Sequence, residues 1–284
     1  MITGVWVLQE NEVLMNALES KILRFIDESP SKVNFRSLTK RFCCSTDLRV
    51  QDLKRAVSGL IAAGTLGYTF HYGRSFIERS LDKPMRVSSH VVLKPPRCDG
   101  NGFENSVVVS IERGASFGFG DHPTTRMAIQ LIDFYLHRFS WWRKKKGLNA
   151  IDLGTGSGIL AIAAAKLRIG SVIGIDTDPC AIYEARRNVE INRLSNRIFI
   201  LTGSLDQIKD TFDFVFANIR TPTLIAICDD LEKKASDKCV LIFSGMRTEE
   251  SSIVAEPYRK IGFHMVEHLQ ENGWTALCLI RGLK

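Results

Sequence analysis

Between Asn149 and Leu167 an apolar run, Ala150-Ile-Asp-Leu153, meets Gly154, Gly156 and Gly158 and passes directly into a helical stretch, Ile159–Leu167. A strand that turns through three glycines into a helix belongs to the ligand-binding edge of an α/β sheet. Glycine bends the backbone tightly there and leaves no Cβ between main chain and ligand. The same rhythm continues downstream. Strand candidates at Ser171–Ile175, Arg197–Leu201, Phe212–Ala217, Cys239–Ser244 and Thr275–Ile280 alternate with helical segments such as Pro179–Asn192. This alternation predicts an α/β fold: a doubly wound, mostly parallel, Rossmann-like sheet with helices on both faces.

The spacing of the loop selects its ligand. Asp176 closes the next strand, roughly 20 residues on, where an acid accepts hydrogen bonds from ribose hydroxyls. A dinucleotide fingerprint needs a small residue at position 159, and Ile159 stands there; no Gly-Lys-Ser/Thr follows, so a triphosphate loop is excluded as well. The observed pattern is G-x-G-x-G with Asp152 two residues before the first glycine. S-adenosylmethionine carries no pyrophosphate and needs no phosphate cradle. It is therefore the expected cofactor, with Asp152, Gly154, Gly156, Gly158 and Asp176 expected at its site.

The first third of the chain has a different rhythm. Leu14, Leu18, Ile22 and Ile26 mark one helix face ending near Ser29-Pro30; a second helix spans Phe35 to Phe42; a third runs from an Asp47 cap to Gly64. Two β-like runs, Thr65–Tyr72 and Ser75–Arg79, join at Gly73-Arg74. Three helices and a hairpin look like a winged helix-turn-helix with the third helix in the recognition position. The expected division is a smaller, helical, winged-helix-like N-terminal domain at 1–83, a linker at 84–104 broken by Pro84, Pro95-Pro96 and Gly100-Asn101-Gly102, and a catalytic domain at 105–284 that starts with a strand at Val107–Ile111. A winged helix can bind nucleic acid or dock a protein, and the fold does not choose between them.

Charge keeps nucleic acid in view: the formal net charge is +7 and the isoelectric point about 9.1. The seven cysteines are odd in number and widely spaced, so reduced thiols and a cytoplasmic setting are expected. No Cys-x-x-C pair begins a zinc site, and no metal is expected. No apolar run approaches the roughly 20 residues that span a bilayer, and the N-terminus lacks the layout of an export signal. No membrane partner is expected.

Further motifs flank the loop. Ser116-Phe-Gly-Phe-Gly-Asp-His-Pro-Thr-Thr125 leads into a helix near Thr124, a place suited to a carboxylate such as the methionine end of the cofactor. Asn218 ends the strand Phe212–Ala217, where strand ends line the ligand crevice. Together with Ile151-Asp-Leu-Gly-Thr-Gly-Ser-Gly-Ile-Leu160, Gly174-Ile-Asp-Thr-Asp-Pro179, Ser244-Gly245 and Gly273-Trp-Thr-Ala276, the chain over residues 105–284 resembles the ribosomal protein L11 methyltransferase family. The resemblance implies an S-adenosylmethionine-dependent N-methyltransferase acting on a protein lysine or N-terminal amine. It also implies that Thr125, Gly154, Asp176 and Asn218 contact the cofactor. Three departures concern the acceptor. Gly118-Phe-Gly-Asp-His122 stands where the family has Gly-Thr-Gly-Thr-His, and Arg220-Thr-Pro-Thr-Leu224 where it tends to read Leu-Ala-Gly-Pro-Leu. The N-terminal part reads as helices with a wing, in place of the family's small α+β recognition module.

An amine attacks only when neutral, so the site should desolvate it; the Asn218 side-chain oxygen is the catalytic candidate, orienting that amine. His122 offers either a base or a hydrogen bond that fixes its loop. Asp121 and Arg220 either touch substrate or are merely exposed, while Trp141, Trp142 and Trp274 read as packing residues. Asn218-Ile-Arg-Thr differs from the Asn-Pro-Pro-Tyr of glutamine methylation, which argues against that acceptor. RNA methylation and a cofactor-sensing, nucleic-acid-binding regulator stay open.

Overall fold

The computed structural model describes residues 17–26, 29, 32–44, 48–71, 74–80, 83–98, 103, 105–114, 116–139, 145 and 147–282. Leu14, the Asp47 cap, Gly73, the 100–102 breaker and the Trp141-Trp142-Arg143 run lie outside these residues. The chain divides into two compact units, 1–83 and 84–284.

In the first unit, α1 is described over residues 17–26, followed by α2 (Phe35–Phe42), α3 (Val50–Ala62) and an antiparallel hairpin of β1 (Leu66–His71) and β2 (Arg74–Arg79). Asn34 caps α2, its side chain accepting from the Ser37 amide at 2.9 Å. On α3, Leu53, Ala56, Val57 and Leu60 follow the helical period and are buried. They meet Ile22, Leu38, Leu66 and Ile77 in a separate small core. The Ile77 amide donates to the Val33 carbonyl at 2.7 Å, tying the hairpin to the segment before α2.

The second unit opens with a three-stranded sheet, β3 (Met85–Arg86), β4 (Val91–Lys94) and β5 (Val107–Ser110), in which β4 and β5 run parallel. Residues 84–104 thus carry two strands where a linker was expected. Val91, Val92 and Leu93 are all buried, and a short run buried on both faces has no polar alternation to announce it.

The main sheet has seven strands in the order β11-β12-β10-β9-β6-β7-β8. They are β6 (Asn149–Leu153), β7 (Ser171–Asp176), β8 (Ile198–Thr202), β9 (Phe212–Asn218), β10 (Ala235–Arg247), β11 (His264–Glu271) and β12 (Trp274–Arg281). β10, β9, β6, β7 and β8 pair in parallel, and β12 alone is reversed, pairing antiparallel with both β10 and β11. The expected doubly wound, mostly parallel sheet is therefore present. Helices α4 (Pro123–Arg138), α5 (Ile159–Lys166), α6 (Pro179–Ile191), α7 (Thr221–Ala226), α8 (Cys228–Lys234) and α9 (Ser251–Lys260) complete the unit. Every residue of α5 from Ile159 to Ala165 is buried, and four alanines let its neighbours approach closely. β6 lies between β7 and β9, so the strand order reverses beside it. A crevice opens at such a point, outside the carboxyl ends of the strands.

Candidate functional site

The loop after β6 is held in a left-handed backbone, with φ of +65° at Gly154, +54° at Gly156 and +81° at Gly158. At Gly156 the requirement for glycine is double. A Cβ there would lie 2.6 Å from the Phe117 carbonyl oxygen, on a conformation that side chains rarely adopt. Beneath the loop sits Asp152, fully buried, its Oδ2 accepting from Thr155 Oγ1 at 2.7 Å and from the Ala161 amide at 3.2 Å. Its Oδ1 has no partner, and burial pushes its pKa up to about 7. Asp152 is a brace under the loop and does not line the cleft.

Asp176, at the end of β7, does line it. Its Oδ2 accepts the Gly156 amide and its Oδ1 the Asp178 amide, each at 3.0 Å. Two main-chain donors thus hold the carboxylate in place, and each oxygen keeps a further acceptor position. Between this acid and the end of β9 lies a cavity of about 440 Å³, walled by Phe117, Gly154, Gly156, Leu205, Asn218 and Ile219 among others. Its size and its few converging polar groups suit a small-molecule ligand.

The other wall is built at the ends of β9 and β10. Asn218 Nδ2 donates to Thr125 Oγ1 at 3.2 Å; Thr125, fully buried in the first turn of α4, touches the asparagine and does not line the cavity. That bond fixes the amide plane and leaves the Asn218 Oδ1 buried without a partner. Ser244 is the Cα partner of Asn218 across the sheet, and its hydroxyl is equally buried and unpaired, as is that of Thr221 at the start of α7. Buried polar atoms without partners are costly and uncommon; of these three residues only Asn218 lines the cavity, so its Oδ1 is the one placed to take a bond from a ligand.

His122 caps α4: its Nδ1 accepts the Thr124 amide at 3.3 Å and lies 2.7 Å from the Thr124 hydroxyl. Its ring meets Phe117 and Trp274 edge-on, with centroids 5.1 and 4.9 Å away, and burial holds its pKa below the ordinary histidine value. The Arg247 guanidinium lies over Trp274 at 3.9 Å. Asp121 pairs with Arg113 at 3.3 Å, and Arg220 is exposed at the start of α7.

Residues 79–281 match the family model described as ribosomal protein L11 methyltransferase (PrmA). This chain belongs to the ribosomal protein L11 methyltransferase family. A relative so named from Clostridium perfringens (strain SM101 / Type A) is 31% identical over 239 residues, covering 83% of this chain and 72% of its own length. One from Alkaliphilus oremlandii is 26% identical over 289 residues, covering 97% of this chain and 90% of its own. The crystal structure of ribosomal protein L11 methylase from Lactobacillus delbrueckii subsp. bulgaricus superimposes with a TM-score of 0.61 at 26% identity, over 70% of this chain and 98% of that one.

The chain is accordingly an S-adenosylmethionine-dependent methyltransferase, and the cleft fits that cofactor. An anchored acid offers the kind of acceptors a ribose needs, and the apolar side chains of Ile175, Leu205 and Ala181 line the same cavity, as a base needs. The cofactor supplies an already activated methyl group on a sulfonium, so the protein's part is alignment and exclusion of water. Sequence reasoning did not assign Thr221 or the Ser244 hydroxyl to the site. Ser244-Gly245 carried a signal, because Gly245 has φ +91° and a Cβ there would lie 2.5 Å from the Ile219 carbonyl. Thr221 carried none.

Proposed function

We propose that the acceptor is an amine of a protein, a lysine side chain or an N-terminus, on a ribosomal or another protein substrate. One observation carries this reading: the buried, unpaired Oδ1 of Asn218, held in orientation through Thr125. A carbonyl oxygen there accepts from an amine N–H and orients it, while desolvation in the cleft disfavours the charged form and leaves a lone pair to attack the methyl group. The names of the relatives agree with a ribosomal protein as acceptor. Gly154, Gly156 and Asp176 form the cofactor half of the proposed site; Gly158, which caps α5 and packs against Ala185, supports it with Asp152 and Thr125, and Asn218 stands between cofactor and amine.

In the same reading, residues 1–83 form a winged-helix-like recognition domain and residues 84–284, opening with β3 and β4, the catalytic domain. The cell's cytoplasm, where ribosomal proteins and free thiols both occur, is the proposed setting. The test is transfer of labelled methyl from the cofactor into cell extract, with protein and RNA fractions counted separately. Label in protein, released by acid hydrolysis as methylated lysine or a methylated N-terminal residue, is the expected result. Label in RNA alone overturns the protein acceptor, and cofactor binding with no transfer to either fraction favours a regulator. Asn218→Ala should lower kcat on the order of 100-fold, the cost of a misplaced reactant.

A further inference from the structure

At the end of α4 away from the cleft, three ligand-type side chains converge. Asp133 is buried, while His90, before β4, and His137, one turn further along α4, are partly open to solvent. His90 Nδ1 lies 2.9 Å and His137 Nδ1 2.7 Å from the same Asp133 oxygen, Oδ1. The His90 amide donates to the other oxygen at 3.1 Å. The two imidazole rings stack, centroids 3.7 Å apart and planes within 11°. All three ligand atoms lie within 4.8 Å of one another, beside a cavity of about 590 Å³ that Ser88, Ser89 and Gln130 also line.

We propose that His90, Asp133 and His137 bind a divalent transition-metal ion of the zinc type. One histidine would suffice to pair a buried carboxylate, and His137 has a second acceptor in the Asp133 carbonyl oxygen at 2.9 Å. Two imidazoles on one carboxylate oxygen are in excess of that need. The set supplies one carboxylate and two imidazole nitrogens, the donor composition that suits zinc. To ligate, each ring moves its proton to Nε2 and turns Nδ1 toward the ion. The partial exposure of both rings leaves room for the turn. The cavity leaves the remaining positions to water. Arg138 on its rim opposes a cation, but it is exposed and free to point to solvent. No Cys-x-x-C spacing could reveal this set, because His90 stands 43 residues from Asp133. The ion would tie residues 88–90 to the helix whose first turn carries Thr125.

The full chain, stripped of metal, is titrated with Zn²⁺ against a chromophoric chelator and with Co²⁺ by visible spectroscopy. One equivalent of zinc is expected to bind, with the cobalt form showing d–d bands and no thiolate charge-transfer band. His137→Gln and His90→Ala should each weaken binding at least about tenfold. Added zinc should raise the thermal midpoint of the wild type and not of His137→Gln. Failure to compete with the chelator, affinity unmoved in His137→Gln, or a thiolate band from the seven cysteines each overturns the proposal. His137 is the more exposed ligand, and the cobalt spectrum needs no variant, so a misfolded His90→Ala leaves the test intact.

Discussion

At the ends of β6 and β7, the acid that faces the cleft has both oxygens satisfied by main-chain donors; at the end of β9, the amide that faces it is left short. Asp176 accepts two amides. Asn218 spends its donor on Thr125 and keeps a bare acceptor, flanked by the unpaired hydroxyls of Ser244 and Thr221. The difference separates two ways of building a binding wall. The proposed cofactor half is assembled before any ligand arrives, from backbone that only glycine permits. The acceptor half carries a desolvation cost that an incoming donor relieves.

If that division is right, the largest effect belongs to the backbone of the first half. Gly156→Ala adds a left-handed strain of about 1–2 kcal/mol and a contact that must shift, costing a further 1–3 kcal/mol or so. Cofactor affinity by calorimetry should fall at least about 100-fold. Retention of tight binding would mean the loop is less fixed than its hydrogen bonds imply.

The second half should respond in turnover and not in cofactor binding. Thr125→Val removes the acceptor for Asn218 Nδ2 and frees the amide to turn, while leaving an unpaired donor worth about 1–2 kcal/mol. The expected result is a kcat about tenfold lower with cofactor affinity changed less than about threefold. Equal losses in both would erase the boundary between the halves.

A smaller effect tests the brace under the loop. Asp152 has its pKa raised to about 7 from an ordinary 3.8, so the folded state holds a proton that the unfolded state releases. Its contribution is full below about pH 4 and disappears as pH rises through 7. Between pH 6 and pH 8 the wild type should therefore lose about 1 kcal/mol of unfolding free energy in urea. Asp152→Asn should flatten that slope, and an equal slope in the variant would assign it to another group.

What the sequence made legible follows the same boundary. The glycine loop and Asp176 are local in the chain and chemically constrained, so their spacing alone singled out a loop and an acid that line the cavity, with Asp152 beneath them. The central strands were equally plain, because burial on both faces makes each a continuous apolar run such as Phe214-Val-Phe-Ala217. β11 was missed: His264-Met-Val-Glu-His-Leu-Gln-Glu271 is an edge strand with no fully buried residue, and its polar character hides it. The acceptor half depends on long-range meetings. Thr125 reaches Asn218 across 93 positions, and Ser244 becomes a neighbour only through the register of β9 and β10. No local pattern encodes such a contact.

Within the acceptor half, residue type and surroundings point in different directions most sharply at His122, and there the smallest effect is expected. A histidine packed behind the wall of a methyl-transfer cleft invites the role of base, and general-base removal typically costs 10²–10⁴-fold. Its surroundings give it a structural role instead. The ring nitrogen caps α4, the ring packs against Phe117 and Trp274, and burial disfavours its charged form. His122→Asn keeps an oxygen able to accept the Thr124 amide. Its kcat should stay within about threefold of wild type, and its pH–rate profile should keep the same shape, because the role proposed for Asn218 is orientation, which needs no proton acceptor beside it. A loss near 100-fold that removes one limb of the profile would make His122 the base. The unpaired oxygen of Asn218 would then be a secondary feature of the acceptor wall.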